Sequence, residues 1–175
     1  VFYATTQGAT EYTDKVGDGA GVFKSTDRGN NWTQINNGLD SLETNILTVD
    51  PNDSETLYLG TDDDGVYKST DGGESWKKLT VSSLSKSFGV GDIIVDPQNS
   101  NNIYIGTVDY FRLSESRGVL GDFGVYKSTD GGATWEEFNV GLNHLGVFSL
   151  ELSEENRILY AGTRAGGVYW ISLDN

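Results

Sequence analysis

Acidic residues are concentrated in a few loop segments of this chain, where they could bind a cation. The densest group is Asp62, Asp63 and Asp64. Further aspartates stand in loops that we expect on the same face: Asp14, Asp18, Asp109 and Asp122. Neighbouring carboxylates and backbone carbonyls can bind Ca²⁺, but no contiguous calcium-loop pattern is present. The alternative is a set of solvated turn carboxylates, so the sequence predicts no metal site and leaves Asp62, Asp63 and Asp64 as calcium candidates.

Paired carboxylates would also be required for glycoside hydrolysis. Such enzymes hold two carboxylates about 5 to 10 Å apart across a cleft. Asp62, Asp109 and Asp122 could supply them, but nothing in the sequence pairs them. The single histidine, His144, lies in a connecting segment without a partner motif, which is typical of a turn residue. The chain has neither a phosphate-binding loop nor zinc-ligand spacing, so we assign no catalytic residue and expect no cofactor.

Two long loops, residues 7–20 and 108–123, carry aromatic and cationic side chains that could bind a ligand. Tyr110, Phe111 and Arg112 combine an aromatic pair with a planar cation, which suits stacking on a sugar or anchoring a protein partner. Three further aromatic residues could join them: Tyr12, Phe88 and Phe123. Long loops on a rigid scaffold are the usual place for binding. The alternative is that these rings pack onto their own loops.

An octapeptide, Ser-x-Asp-x-Gly-x-x-Trp, occurs three times, and we call each copy a box. Its Ser and Asp oxygens can accept hydrogen bonds from nearby backbone N–H groups, and its glycine can supply a positive φ. The tryptophan would anchor the following strand by burying its ring. A catalytic motif would have to carry one chemistry three times, so we assign the boxes a structural role. They comprise Ser25, Asp27, Gly29 and Trp32, then Ser69, Asp71, Gly73 and Trp76, then Ser128, Asp130, Gly132 and Trp135.

The elements that must position these groups are short strands. Ahead of each box come a Gly-Val-Phe/Tyr-Lys phrase and an apolar run ending in Gly-Thr or Thr-Thr. Alternation and flanking Gly, Asn, Asp and Pro favour strands, and no segment shows convincing helical periodicity. The apolar runs lie at 2–6, 57–61, 103–107 and 159–163, and further strand-like runs lie at 46–51, 93–97 and 148–153. Four-stranded units repeating every 40 to 60 residues or so are typical of a β-propeller.

We therefore predict an all-β fold, a β-propeller arc of about three and a half four-stranded antiparallel blades in one domain. The predicted blades are 1–39, 40–80, 88–140 and 146–175. The first lacks its opening strand and the last its closing strand, whereas propellers close with roughly 4 to 8 blades. We expect a longer chain, a second copy or another protein to complete the ring. The final Ser172-x-Asp174 phrase is expected to begin another box.

Composition excludes several classes of function. The net charge of -14, from 26 acidic and 12 basic residues, argues against nucleic acid, because a phosphate backbone requires a concentrated Lys/Arg face. No apolar run approaches the ~18 residues of a membrane span, so we expect no direct membrane insertion. Without cysteine, the chain forms no disulfide and no thiolate metal site.

At its boxes the chain resembles the Asp-box proteins, also called bacterial neuraminidase repeat (BNR) proteins, of the sialidase and sortilin-like propeller superfamily. The phrases Val-Asp-Pro, Gly-Thr and GVYKSTDGG carry this resemblance over nearly the whole chain. It implies a β-propeller in an extracellular or cell-surface setting. Members range from glycosidases to binding scaffolds, so the resemblance implies no single function.

The arginines bear on a sialidase-like activity, because sialidases hold the substrate carboxylate with three arginines. Arg28 and Arg157 are predicted on the face opposite the long loops. Only Arg112, Arg117 and Arg164 remain, without the Arg-Ile-Pro phrase of that family. We therefore predict a non-catalytic extracellular binding or structural module for protein or glycan. The alternatives are a glycan-active hydrolase with catalytic residues partly outside this chain, and an accessory subunit of a cell-surface assembly.

Overall fold

The computed structural model describes residues 1–7, 19–84, 88–109 and 122–174. Within them the chain consists of β-strands joined by turns and loops, and no helix there is long and apolar enough to cross a membrane. The strands are β1 (Phe2–Thr6), β2 (Gly21–Ser25), β3 (Thr33–Gln34), β4 (Thr44–Asp50), β5 (Asp53–Thr61), β6 (Val66–Ser69), β7 (Lys77–Lys78), β8 (Gly89–Val95), β9 (Ile103–Val108), β10 (Val125–Ser128), β11 (Glu136–Glu137), β12 (Val147–Ser153), β13 (Ile158–Thr163) and β14 (Gly167–Ser172).

The strands form four antiparallel sheets, each built from strands consecutive in the chain. The first sheet is β1-β2-β3, the second β4-β5-β6-β7, the third β8-β9-β10-β11 and the fourth β12-β13-β14. The innermost strands of successive sheets contact one another, β1 with β4, β4 with β8 and β8 with β12. Four such sheets side by side form a partial β-propeller. The predicted all-β arc, with its shorter first and last blades, is confirmed.

Three apolar clusters between successive sheets form the core. Strands covered on both faces read as continuous apolar runs, and β5 and β9 show that pattern. One cluster joins the first and second sheets, a second joins the second and third, and a third joins the third and fourth. Each sheet is therefore stabilised by burial against its neighbours rather than by a core of its own.

Lysines of the repeated Gly-Val-Phe/Tyr-Lys phrase link one sheet to the next. Lys24 Nζ donates to the Gly72 carbonyl at 2.9 Å, and Lys68 Nζ donates to the Gly131 carbonyl at 3.0 Å. Both acceptors lie in the box turn of the following sheet. The repeat thus encodes an inter-sheet contact as well as a strand.

The final Ser172-x-Asp174 phrase is not a box, contrary to the prediction. Leu57 pairs with Ser69, the box serine of the second sheet, whereas the equivalent Leu159 pairs with Ile171. Ile171 therefore occupies the box-serine position, and Ser172 lies one residue beyond it. The reason is one additional residue in the phrase, GVYWIS in place of GVYKS, while the register of β13 with β14 equals that of β5 with β6. A one-residue shift turns a side chain to the other face of the sheet.

Candidate functional site

The box turns use their own polar groups internally. In the first box, Ser25 Oγ donates to Asp27 Oδ1 at 2.9 Å and accepts from the Gly29 N–H at 2.8 Å. Asp27 Oδ1 also accepts from the Asn31 N–H at 2.9 Å. The same bonds recur in the second and third boxes, where each glycine donates to the box serine at 2.9 Å. Gly73 and Gly132 have φ values of 89° and 92°, which favour glycine.

These hydrogen bonds hold the three box carboxylates in their ionised form. Donation from the Asn31 side chain is the largest cause that lowers the pKa of Asp27 to about 2. The Ser69 hydroxyl plays that part for Asp71, and the Thr134 hydroxyl for Asp130, each again with a pKa of about 2. Each box carboxylate therefore accepts hydrogen bonds from its own turn, as expected for a structural role.

The three box tryptophans have different surroundings, although the sequence predicts the same buried ring for all. Trp76 is buried and its indole N–H donates to the Ile35 carbonyl of the first sheet at 2.7 Å. Trp135 is half-buried against the second sheet. Trp32 is 43% exposed and donates only within its own box, to the Gly29 carbonyl. The difference follows from position, because no described sheet precedes the first.

The loop face, opposite the box turns, carries the connections from β1 to β2, β5 to β6, β9 to β10 and β13 to β14. The three calcium candidates there point to different partners. Asp64 accepts hydrogen bonds from Tyr67 and Lys78, and Asp63 Oδ1 accepts from Ser41 Oγ at 3.2 Å. Among the described residues, no group of three or more His, Cys, Asp or Glu side chains is placed to hold a metal ion.

Asp62 has the most unusual environment of the three. Its Oδ2 accepts from Gln7 Nε2 at 2.7 Å, and its N–H donates to the Glu43 carbonyl at 2.9 Å. The residue is 1% exposed, and its Oδ1 has no hydrogen-bond partner in the described part of the chain. Burial, with the nearby charges of Glu43 and Asp63, raises the pKa of Asp62 to about 6.

A second cluster on the loop face joins the third and fourth sheets. Asp122 Oδ1 accepts from the Asp109 N–H at 2.8 Å, and the guanidinium of Arg164 donates to the Asp109 carbonyl. The Arg164 Cζ lies 5.2 Å from the centroid of the Phe148 ring, within cation–π range. Phe148 is 41% exposed. An exposed ring held against a cation provides a flat surface on which a planar or sugar-like ligand can stack.

Phe148 is a candidate that the sequence reasoning missed. The segment 148–153 alternates like an ordinary strand, which predicts nothing special for its first residue. In the structure the pairing of β12 with β13 shifts between Val147 and Ser149, so Phe148 lies at a β-bulge. Bulges re-aim a side chain. Gly91 of the third sheet fits beside this bulge, since a Cβ there would lie 2.3 Å from the Val147 carbonyl oxygen.

The aromatic candidates from the sequence fall into two groups. Tyr12, Tyr110, Phe111 and Arg112 lie outside the described residues, as do the acidic candidates Asp14 and Asp18. Phe88 is buried in the core cluster between the second and third sheets, and Phe123 packs half-buried against that cluster. Ligand contact by the six candidates, four outside the described residues and two within them, stays a prediction. The rings of Phe88 and Phe123 are largely covered by core residues.

The two outer sides of the arc expose positions that are buried elsewhere in the repeat. Phe2 is 52% exposed, whereas its equivalents Leu57, Ile103 and Leu159 are buried by a preceding sheet. On the opposite side Val168 is 70% exposed, whereas its equivalents are buried by a following sheet: Val22, Val66 and Val125. Both sides are therefore built for contact with a further sheet.

Comparisons with known proteins agree with this architecture. The chain is 36% identical over 96 residues to xyloglucanase Xgh74A of Acetivibrio thermocellus, a match that covers 50% of this chain and 11% of that protein. The crystal structure of a GH74 enzyme from Niastella koreensis is similar with a TM-score of 0.64 and 27% identity, over 87% of this chain and 24% of that one.

A further structure, YCF48 bound to D1 peptide, shares the fold with a TM-score of 0.63 and 15% identity, over 89% of this chain and 45% of that one. The chain thus spans about a tenth to a half of these proteins. The sequence profile of the family described as Sortilin-Vps10 (sortilin, neurotensin receptor 3) matches residues 20–169. The chain therefore belongs to the Sortilin-Vps10 family, whose members are built from Asp-box propeller blades.

Proposed function

We propose that this chain is a non-catalytic binding module of a glycan-related propeller, with the loop face near Phe148 and Arg164 as its glycan-binding surface. The observation that carries the proposal is the exposed Phe148 ring, backed by a guanidinium 5.2 Å from its centroid. Stacking on an aromatic face supplies much of the affinity of sugar recognition without any reacting group. The 36% identity to a xyloglucanase favours a xyloglucan-type ligand.

The test is binding of xyloglucan oligosaccharide to the chain by titration calorimetry. We expect Phe148→Ala to weaken binding at least tenfold, which corresponds to about 1.4 kcal/mol. Phe2→Ala is the matched control, because it removes an exposed phenylalanine ring from the far side of the arc and should leave affinity unchanged. Equal affinity of Phe148→Ala and the parent chain would overturn the assignment of this surface.

A glycan-active hydrolase is the second candidate function, favoured by the same xyloglucanase relative. The hydrogen bonds of two loop-face carboxylates argue against it, because Asp64 and Asp122 each accept a hydrogen bond from another residue of the chain. Incubating the same samples with xyloglucan and measuring new reducing ends distinguishes the binding module from the hydrolase. For a binding module we expect no reducing ends above the blank. Release of reducing ends that Asp122→Asn abolishes would establish the hydrolase instead.

We propose further that a second copy or another protein completes the propeller. We place this chain in an extracellular or cell-surface setting, where it could also serve as an accessory subunit of a larger surface assembly. The exposure of Phe2 and Val168, at positions buried elsewhere in the repeat, supports completion. The resemblance to Asp-box proteins supports the setting. A native mass above that of the denatured polypeptide, in the surface or secreted fraction of the source cells, is the expected result.

A further inference from the structure

A chain of contacts on the loop face runs from Asp122, at the end of the long loop of the third sheet, to the ring of Phe148. Asp122 Oδ1 accepts a hydrogen bond from the Asp109 N–H at 2.8 Å. The Asp109 carbonyl in turn accepts from the guanidinium of Arg164, whose Cζ lies 5.2 Å from the centroid of the Phe148 ring. Asp122 therefore restrains the backbone at Asp109, and that backbone holds the cation against the ring.

The guanidinium of Arg164 depends on this one peptide carbonyl for its position. The backbone of Arg164 is fixed separately, because its N–H donates to the Gly146 carbonyl at 2.8 Å. In the described part of the chain, the Asp109 carbonyl is the only hydrogen-bond acceptor of the guanidinium. A long side chain that is held by a single acceptor regains its rotamer freedom when that acceptor moves. A shift of the Asp109 backbone would thus release the cation from the Phe148 ring.

The blade itself does not require a carboxylate at the position of Asp122. Its equivalents are Gly19, Asp63 and Ala165, because each stands directly before the residue whose N–H donates to the repeat threonine. Two of the four sheets therefore form with glycine or alanine there. The carboxylate of Asp122 must have a local reason.

The neighbouring sheets show what is particular to this junction. The second sheet also carries an aspartate, Asp63, but the next sheet has Val108 at the position of Arg164. At the third and fourth sheets, Gly146 leaves room for the carboxylate, since a Cβ there would lie 2.9 Å from Asp122 Oδ2. Within the described residues, only this junction combines an aspartate at this position with an arginine opposite it.

We infer that Asp122 is a positioning residue of the glycan surface, because its bond to the Asp109 N–H holds Arg164 against Phe148. The inference rests on the proposed glycan binding near Phe148 and Arg164, and it adds a residue that acts on the ligand only through others. A ring that is already fixed before the ligand arrives loses less conformational entropy on binding. The contribution of Asp122 is this preorganisation rather than a contact with the sugar.

The test is the xyloglucan titration with variants of Asp122. We expect Asp122→Ala to weaken binding by about three- to tenfold, which is the effect of one side chain that must be ordered on binding. Asp122→Asn should bind like the parent chain, because its amide oxygen still accepts from the Asp109 N–H. Asp63→Ala is the matched control and should leave the affinity unchanged.

A double-mutant cycle shows whether Asp122 acts through the arginine. In an Arg164→Met background, Asp122→Ala should cause no further loss of affinity. Additive losses would overturn the inference, and so would equal affinity of Asp122→Ala and the parent chain. A loss with Asp122→Asn as large as with Asp122→Ala would also overturn it, since the charge itself would then be needed. If Asp122→Ala fails to fold, Arg164→Met decides, because an unchanged affinity would show that the guanidinium has no part in binding.

Nitrogen-15 NMR of the Arg164 guanidinium gives a readout that needs no ligand. Asp122→Ala should increase the mobility of the guanidinium, whereas Asp122→Asn and Asp63→Ala should leave it restricted. A purely structural role of Asp122 would lower the urea midpoint without changing this mobility. If the parent chain does not bind xyloglucan, the glycan proposal fails, and the NMR measurement alone then decides the positioning. Unchanged mobility in Asp122→Ala would overturn it.

Discussion

Asp62 shows how a single buried carboxylate opposes folding at neutral pH. Its folded-state pKa is raised from 3.8 to about 6, with burial as the largest cause. A raised carboxyl pKa means that the native state holds the proton more tightly than the unfolded chain does. The associated stability is fully present below pH 3.8 or so and is lost as the pH rises through 6.

We expect Asp62→Asn to prevent this loss of stability at neutral pH, because the amide is uncharged and its oxygen still accepts the hydrogen bond from Gln7. Urea denaturation at pH 4.0 to 8.0 should give a variant that gains about 1–2 kcal/mol over the parent chain above pH 7. Asp63→Asn is the control and should give only a small part of that gain, because it removes one repulsive charge near Asp62 but leaves burial, the largest cause of the raised pKa, in place. A variant less stable than the parent chain at pH 7.5 would contradict this account.

At the scale of elements, one ion pair ties the third sheet to the fourth. Arg157, in the turn between β12 and β13, donates to both oxygens of Asp96 at 2.9 and 2.6 Å. Asp96 is fully buried, and the hydrogen bond from Arg157 is the largest cause that lowers its pKa. A lowered carboxyl pKa adds stability above pH 3.8 that is lost as the pH falls through the folded value.

Removing the Asp96 charge should lower the free energy of unfolding more than the same change at the equivalent aspartate of the second sheet. Asp50 is the equivalent of Asp96, and its donors among the described residues are neutral: Ser100 Oγ at 2.7 Å and the Asn52 N–H at 2.9 Å. We expect Asp96→Asn to lower the unfolding free energy by about 2–4 kcal/mol, and Asp50→Asn by about 1 kcal/mol. Urea denaturation at pH 7 measures both. Equal costs would show that the ion pair adds nothing beyond a neutral bond.

For the whole molecule, we expect further sheets to associate with the two outer sides of the arc. Both sides expose apolar positions that are buried between successive sheets elsewhere, so association should cover them. We expect the native mass of material from the source cells, measured by sedimentation, to exceed the mass of its denatured polypeptide. A larger native than denatured mass indicates completion by partners. Equal native and denatured masses would contradict completion in trans.

The charge of the chain bears on which assembly forms. A net charge of -14 opposes the approach of a second copy through self-repulsion, which salt screens. The chain purified alone serves as the control for the sedimentation measurement. A monomer at 0.15 M salt with a larger native mass in the source material would indicate another protein as the partner, and a dimer of the pure chain would indicate a second copy.

Several features could be predicted from the sequence alone because they depend on neighbouring residues. The boxes contain their own turn donors and acceptors, as in Ser69, Asp71 and Gly73, so three copies of one phrase predicted three identical turns. Alternating apolar runs then predicted the strands and their grouping into short antiparallel sheets. A repeat of this kind determines the propeller before any long-range contact is known.

Only the tertiary structure decided how equivalent residues differ. Trp76 and Trp32 occupy the same box position, but only Trp76 has a preceding sheet to bury its ring. Phe148 lies at a bulge in the pairing of β12 with β13 and is exposed there. These outcomes depend on pairing and packing between residues distant in the chain. Local sequence determined the repeating unit, and the neighbours of each unit determined what its side chains can do.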